Sequence, residues 1–143
     1  MKSRLRITFM IVAAIAAMAM MSSVVAAADS VQIKSKDGVG KYLADGKGMT
    51  LYYITKDKPD RSGCTGACLE KWPAYYADSV AAPAGTAAKD FGEFTRPDGK
   101  KQVTFKGWPL YYFAGDKGPG DTNGHGIKEI WYVATPQSIQ PYF

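Results

Sequence analysis

The chain is poor in the residues that build most enzyme centres. It has one histidine, His125, and two cysteines, Cys64 and Cys68. No Gly-x-Ser-x-Gly elbow, His-Glu-x-x-His pair or phosphate-binding glycine loop occurs in it. A Ser-His-Asp set is assembled only by choosing among scattered residues. Cys-x-x-Cys beside a βαβ pattern, the mark of thiol oxidoreductases, is absent, and the spacing here is Cys-x-x-x-Cys. Leu69 follows Cys68 where covalent haem attachment needs a histidine. Only Met49 lies beyond the first 21 residues, which removes a Met-rich copper site. An enzyme is therefore the least expected class, and the chain is read as non-enzymatic.

Basic character is also scarce once the leader is set aside. Lys2, Arg4 and Arg6 precede an apolar run over residues 7–25, and Ala26, Ala27 and Ala28 precede Asp29. These three parts make a secretory signal peptide over residues 1–28, with cleavage after Ala28 or, nearly as well, after Ala27. The alternative is a retained anchor, because the run approaches the ~20 residues of a membrane helix. No second such run follows, so after cleavage no membrane span is expected and the location is periplasmic or secreted. The leader holds three of 18 basic and none of 13 acidic residues, leaving 15 − 13 = +2 for the rest. The basic balance is a targeting feature and gives no support for a nucleic-acid partner.

What is abundant is aromatic. All nine tyrosines, all three tryptophans and five of six phenylalanines fall after the leader. Large rigid rings supply apolar burial to a small domain, so most of them are expected in its core.

They also recur. At a constant offset of 59 residues, Lys47-Gly48-Met49-Thr50-Leu51-Tyr52-Tyr53 matches Lys106-Gly107-Trp108-Pro109-Leu110-Tyr111-Tyr112. Without a gap, Asp57-Lys58 then matches Asp116-Lys117, and Glu70 and Trp72 match Glu129 and Trp131. Repeat one covers about residues 31–76, a linker 77–89, and repeat two about 90–135. Each copy is too small to be stable apart, so residues 29–143 are expected to form one domain with approximate twofold symmetry.

Each copy has a β pattern. Residues 42–44, the turn Asp45-Gly46-Lys47-Gly48 and residues 50–54 predict a hairpin, matched in copy two by residues 94–96, the turn Pro97-Asp98-Gly99 and residues 102–105. A further turn at Lys106-Gly107 leads into residues 110–114, and residues 129–134 make a last strand. Gln102, Thr104 and Lys106 alternate with Val103 and Phe105, which argues for antiparallel sheet. Residues 65–71 suit one helical turn, stopped by Trp72-Pro73. The expected fold is mainly β: one antiparallel sheet domain, sandwich or barrel-like, built from two pseudo-symmetric repeats with at most one short helix.

At these residues the chain resembles the secreted-repeat family of unknown function, marked by tyrosine, any residue, an aromatic, two residues and aspartate. Tyr111-Tyr112-Phe113-Ala114-Gly115-Asp116 fits in full, whereas Tyr52-Tyr53-Ile54-Thr55-Lys56-Asp57 has Ile54 in the aromatic place. Ser62-Gly63-Cys64-Thr65-Gly66-Ala67-Cys68 before Trp72-Pro73, and Pro119-Gly120-Asp121-Thr122-Asn123-Gly124 before Trp131, follow the same family habit. The resemblance implies an exported β-rich repeat protein and no particular activity. Many members look like lipoproteins; this chain has no cysteine near the processing site to accept a lipid.

Candidate chemistry lies in the two loops before the tryptophans. Cys64 and Cys68 are expected to form an intramolecular disulfide, because an exported chain matures where disulfides persist. The ring is so short that the entropic gain is about 2 kcal/mol. The rival is redox or copper chemistry at the same pair, with His125 as a third copper ligand. Copy two has Asn123 and Ile127 in place of the cysteines, in a loop carrying Asp116, Asp121, Asn123 and His125. Those oxygens suit Ca²⁺, which takes roughly six to eight such ligands, although the run does not match an EF-hand. The plainer expectation is a loop pinned by Asx turns, with no cofactor.

Asp57 and Asp116 stand at equivalent places and are expected as turn acceptors, with a carboxylate pair as the alternative. Adjacent tyrosines on a strand point to opposite faces, so one of Tyr52 and Tyr53, and one of Tyr111 and Tyr112, is expected to be exposed. Exposed rings suit a protein or glycan partner at the cell envelope. Binding or scaffolding is thus the first functional expectation, and a periplasmic metal or redox protein the second.

Overall fold

The computed structural model describes residues 28–137. The predicted signal peptide therefore lies outside the described residues except for its last residue. Among the described residues no helix is long and apolar enough to cross a membrane.

Among the described residues the chain is mainly strand in antiparallel sheets, with one short helix and two 3-10 turns, as the repeat pattern predicts. The hairpin β2 (Gln32–Lys36) and β3 (Gly40–Ala44) follows β1 (Asp29–Ser30). Next come β4 (Tyr52–Ile54), helix α1 (Ala67–Lys71) and β5 (Val80–Ala81), which pairs in parallel with β1. The second half holds β6 (Phe91–Thr95), β7 (Lys101–Phe105), β8 (Trp108–Pro109) and β9 (Trp131–Val133).

One equivalence differs from expectation. The opening hairpin of copy one is β2–β3 around Asp37-Gly38, and its counterpart is β6–β7 around Asp98-Gly99. The turn at Asp45-Gly46-Lys47-Gly48 corresponds instead to Lys106-Gly107. The pattern that marks β2 is the alternation of Val31 and Ile33 with Gln32, Lys34 and Lys36.

The copies are joined by exchanged strands. β4 of copy one pairs with β9 of copy two, with Tyr52 opposite Val133 and Ile54 opposite Trp131. The counterpart pairing puts Tyr111 of copy two opposite Ala74 of copy one, and Tyr112 N–H donates to the Pro73 carbonyl at 2.7 Å. Tyr52 and Tyr111 bond each other reciprocally, N–H to carbonyl, at 2.8 and 2.9 Å. Equivalent residues pair with one another only where a twofold axis passes, so these tyrosines mark the axis.

Each half closes on a ring of three backbone hydrogen bonds. Leu51 N–H donates to Leu43, Leu43 to Ala134 and Ala134 to Leu51, at 2.8 to 2.9 Å. In the other half Leu110 donates to Val103, Val103 to Tyr75 and Tyr75 to Leu110, at 2.8 to 3.0 Å. Neither ring closes without a residue from the other copy.

Strand alternation then sorts side chains into two cores. Leu51 and Leu110 enter one core with Val31, Val103 and Phe105. Tyr52 and Tyr111 enter the other with Trp72, Trp131 and Val133. Tyr53 and Tyr112 return to the first core and are half-buried against it. The tyrosine pairs do face opposite ways, but both faces are covered.

Candidate functional site

A buried tyrosine keeps its burial energy only if its hydroxyl finds a partner; an unsatisfied hydroxyl costs roughly 1–3 kcal/mol. Here each copy's tyrosine uses the other copy's aspartate. Tyr52 donates to Asp116 at 2.6 Å and Tyr111 to Asp57 at 2.6 Å. Each carboxylate also accepts a loop N–H, from Asn123 to Asp116 at 3.0 Å and from Gly63 to Asp57 at 2.8 Å. Asp57 and Asp116 are thus acceptors in opposite halves, each tying its loop to the other copy's tyrosine. Burial raises both carboxyls above the usual carboxylate range, opposed by these donors and, for Asp57, by Arg96. Burial, with the neighbouring carboxylate, lifts the Tyr52 and Tyr111 hydroxyls well above the usual phenol range.

Phenylalanine at either tyrosine keeps the ring and removes the donor. Tyr52→Phe and Tyr111→Phe are each expected to lower unfolding free energy by about 1–3 kcal/mol in urea titrations. A change within about 0.5 kcal/mol would show that the cross-repeat bond contributes nothing.

Arg96, Ser62 and Gln102 are buried polar residues. Alternation along the strand places Gln102 and Thr104 on a face open to water, but both are buried, with Gln102 accepting from Arg96 and donating to the Leu110 carbonyl. Arg96, just before the β6–β7 turn, donates to Ser62 at 2.8 Å, to Gln102 at 2.6 Å and to the Cys64 carbonyl. Ser62 in turn bonds the Tyr111 hydroxyl. The available signal was positional: Lys36 holds the same place before the β2–β3 turn, and its ammonium donates to the Gly120 carbonyl at 3.1 Å. A basic residue reaches the loop before the tryptophan in both halves.

Those loops are held differently. Cys64 and Cys68 are joined in a disulfide, with Cys64 buried among the aromatic core. In copy two Asp121 accepts the Lys117 and Gly118 N–H groups at 2.8 and 3.1 Å, which lower its carboxyl below the usual range. Gly124 packs where a Cβ would come within 2.8 Å of Trp72 and 2.9 Å of Tyr52. His125 is exposed; its Nδ1 accepts the Val133 N–H at 3.2 Å and its ring meets Tyr132. Among the described residues no three His, Cys, Asp or Glu side chains come together as a metal-holding group.

On the repeat axis Trp72 and Trp131 stack, centroids 3.8 Å apart and planes 2° from parallel. Tyr52 meets Trp72 edge-on at 5.5 Å, and Tyr111 meets Trp131 edge-on at 5.1 Å, the same contact in each half. Phe113 covers the free side of Trp72 at 4.5 Å. Elsewhere Tyr53 packs on Trp108 and Tyr132, and Tyr112 packs on Tyr75 and donates to Asp45 at 2.7 Å. Tyr76, 43% exposed, is the one large apolar side chain that is exposed among the described residues.

Beside the stack lies a cleft of about 460 Å³ lined by Trp72, Trp131, Phe113, Ile127, Lys71 and Lys128, with Ala114 and Gly115 as its small residues. A larger cleft of about 570 Å³ runs past Tyr76, Leu69 and Pro73 and is lined by charges of both signs, Arg96, Lys101 and Asp98. The Arg96 donors there are already engaged internally. The apolar walls of the tryptophan cleft come from both copies.

The model of a secreted repeat of unknown function matches residues 33–75 and again residues 92–135, together more than half the chain. The chain belongs to this family. Two matches to one repeat model agree with the exchanged, twofold architecture, and the family's description marks the protein as exported. No curated protein and no solved structure matches it.

Proposed function

We propose that this member of the secreted-repeat family is a non-enzymatic binding module of the periplasm or the extracellular space, working without a cofactor through the tryptophan cleft. The cleft itself supports this: an open, aromatic-walled space of about 460 Å³ at the junction of the two copies. Such concave, mostly apolar sites with a few polar groups are the usual form of a ligand site. The motif's own hydroxyls and carboxylates support it too, because Tyr52, Tyr111, Asp57 and Asp116 are occupied in holding the copies together. A sheet-borne protein or glycan contact through exposed tyrosines has less to work with, since Tyr52 and Tyr111 are 0% exposed and Tyr53 and Tyr112 half-buried.

Two measurements test the proposal. Ala114 lines the cleft and is exposed, so Ala114→Trp fills it without crowding either core. Neutral N-phenylnaphthylamine, followed by its own emission, is expected to bind the wild-type chain saturably and to lose that binding in Ala114→Trp. Binding that is absent, or unchanged by the filling, overturns the role of the cleft. Native mass spectrometry separates this from a metal or redox protein. The chain is expected free of metal and lighter than its reduced form by the two hydrogens a disulfide removes; a stoichiometric metal would refute the cofactor-free reading.

A further inference from the structure

The charge around the cleft goes beyond what the repeat requires. Its rim carries Lys71, at the end of α1, and Lys128, in the 3-10 turn Ile127–Glu129. Both are exposed, and no ion pair engages either among the described residues. No acidic side chain among the described residues lines the cleft. At the offset of 59 the counterparts of Lys71 and Lys128 are Ile130 and Leu69. Repeat symmetry therefore accounts for the paired tryptophans and leaves the two lysines without a structural origin.

The backbone at Lys128 is held in a costly shape. Lys128 and Glu129 have φ of 51° and 58°, two successive non-glycine residues in the left-handed region. Side chains disfavour that region, and strain of this kind gathers at ligand-binding segments. On the opposite wall Phe113 lies over Gly115, where a Cβ would come within 2.4 Å of the ring. The glycine lets the ring lie against the backbone, and with Ala114 it keeps that wall low.

We infer that the cleft takes an apolar, ring-bearing anion, its rings against Phe113 and the tryptophan edges and its carboxylate, sulfonate or phosphate between Lys71 and Lys128. Aromatic walls accept rings edge-on or offset-stacked. Two unpaired ammonium groups over an apolar floor attract one negative charge and repel cations. This rests on the binding-module proposal, because it assigns the ligand class of the same cleft.

The test compares anilinonaphthalene sulfonate with neutral N-phenylnaphthylamine, two probes of one ring body that differ in charge, on the wild-type chain and on Lys71→Glu/Lys128→Glu. Both lysines are exposed, so the double variant is expected to fold. At low salt the ratio of sulfonate to neutral affinity is expected to fall about tenfold in the variant, because two attractions are replaced by two repulsions. Neutral-probe affinity should not change, and added salt should shrink the difference. An unchanged ratio, with the neutral probe still bound, overturns the anion assignment and leaves the binding proposal intact. Failure of both probes on the wild-type chain overturns both.

Discussion

Replacing Trp131 by alanine is expected to cost about 3–5 kcal/mol of unfolding free energy. Trp131 is 3% exposed, stacks on Trp72, and meets Tyr111 edge-on. It also sits at the centre of the exchanged pairing, opposite Ile54. Alanine there removes the burial of a large ring, leaves a void on the axis, and deprives Trp72 of its stacking partner. A domain of this size has only ~5–15 kcal/mol in total, so the melting temperature should drop on the order of 10–20 °C. Trp72→Ala should cost a similar amount. Because the two rings touch, the double variant should lose about 0.5–1.5 kcal/mol less than the sum of the singles. Additive losses in urea titrations would mean that the stack is two independent burials.

Arg96→Met is expected to cost about 3–5 kcal/mol. Its side chain is 1% exposed and supplies donors to Ser62, Gln102 and the Cys64 carbonyl. Methionine keeps much of the volume but removes these buried donors and takes a cation from the neighbourhood of buried Asp57. Arg96→Lys should recover little, because one ammonium cannot reproduce the fixed fork of the guanidinium. The repeat supplies its own control in Lys36, the counterpart residue, which is exposed and makes one long-range bond to Gly120. Lys36→Met should stay within about 0.5 kcal/mol. Equal losses at Lys36 and Arg96 in parallel chemical denaturation would sink the claim that burial, rather than position in the repeat, sets the cost.

The repeat was legible because nine residues recur at one offset, and the tyrosine pairs were legible as residues of opposite faces because strand side chains have a period of two. Two features of the structure differ from the pattern. The pattern pairs the turn at Asp45-Gly46 with Pro97-Asp98-Gly99, since a glycine turn between apolar runs looks alike wherever it falls, but β2–β3 is the counterpart of β6–β7. Periodicity predicts one exposed tyrosine in each pair because it tells that a face differs, not what covers it; Tyr53 and Tyr112 are half-buried against the first core. The burial of Arg96 has no local signal, because a basic residue beside a surface turn normally faces solvent.

By itself, then, the sequence determined the strand-rich repeat, the disulfide between Cys64 and Cys68, and the unequal loops before the tryptophans. These depend on local pattern: alternation, turn residues and the nearness of two cysteines in the chain. Only the tertiary structure decided that the copies exchange strands, that Tyr52 uses Asp116 and Tyr111 uses Asp57, and that a lysine-rimmed cleft opens beside the tryptophan stack. Those partners lie 64 and 54 residues apart. Every repeat residue has two possible partners, one in its own copy and one in the other. The choice between them is made by the packing of both copies around one axis, which no local pattern records.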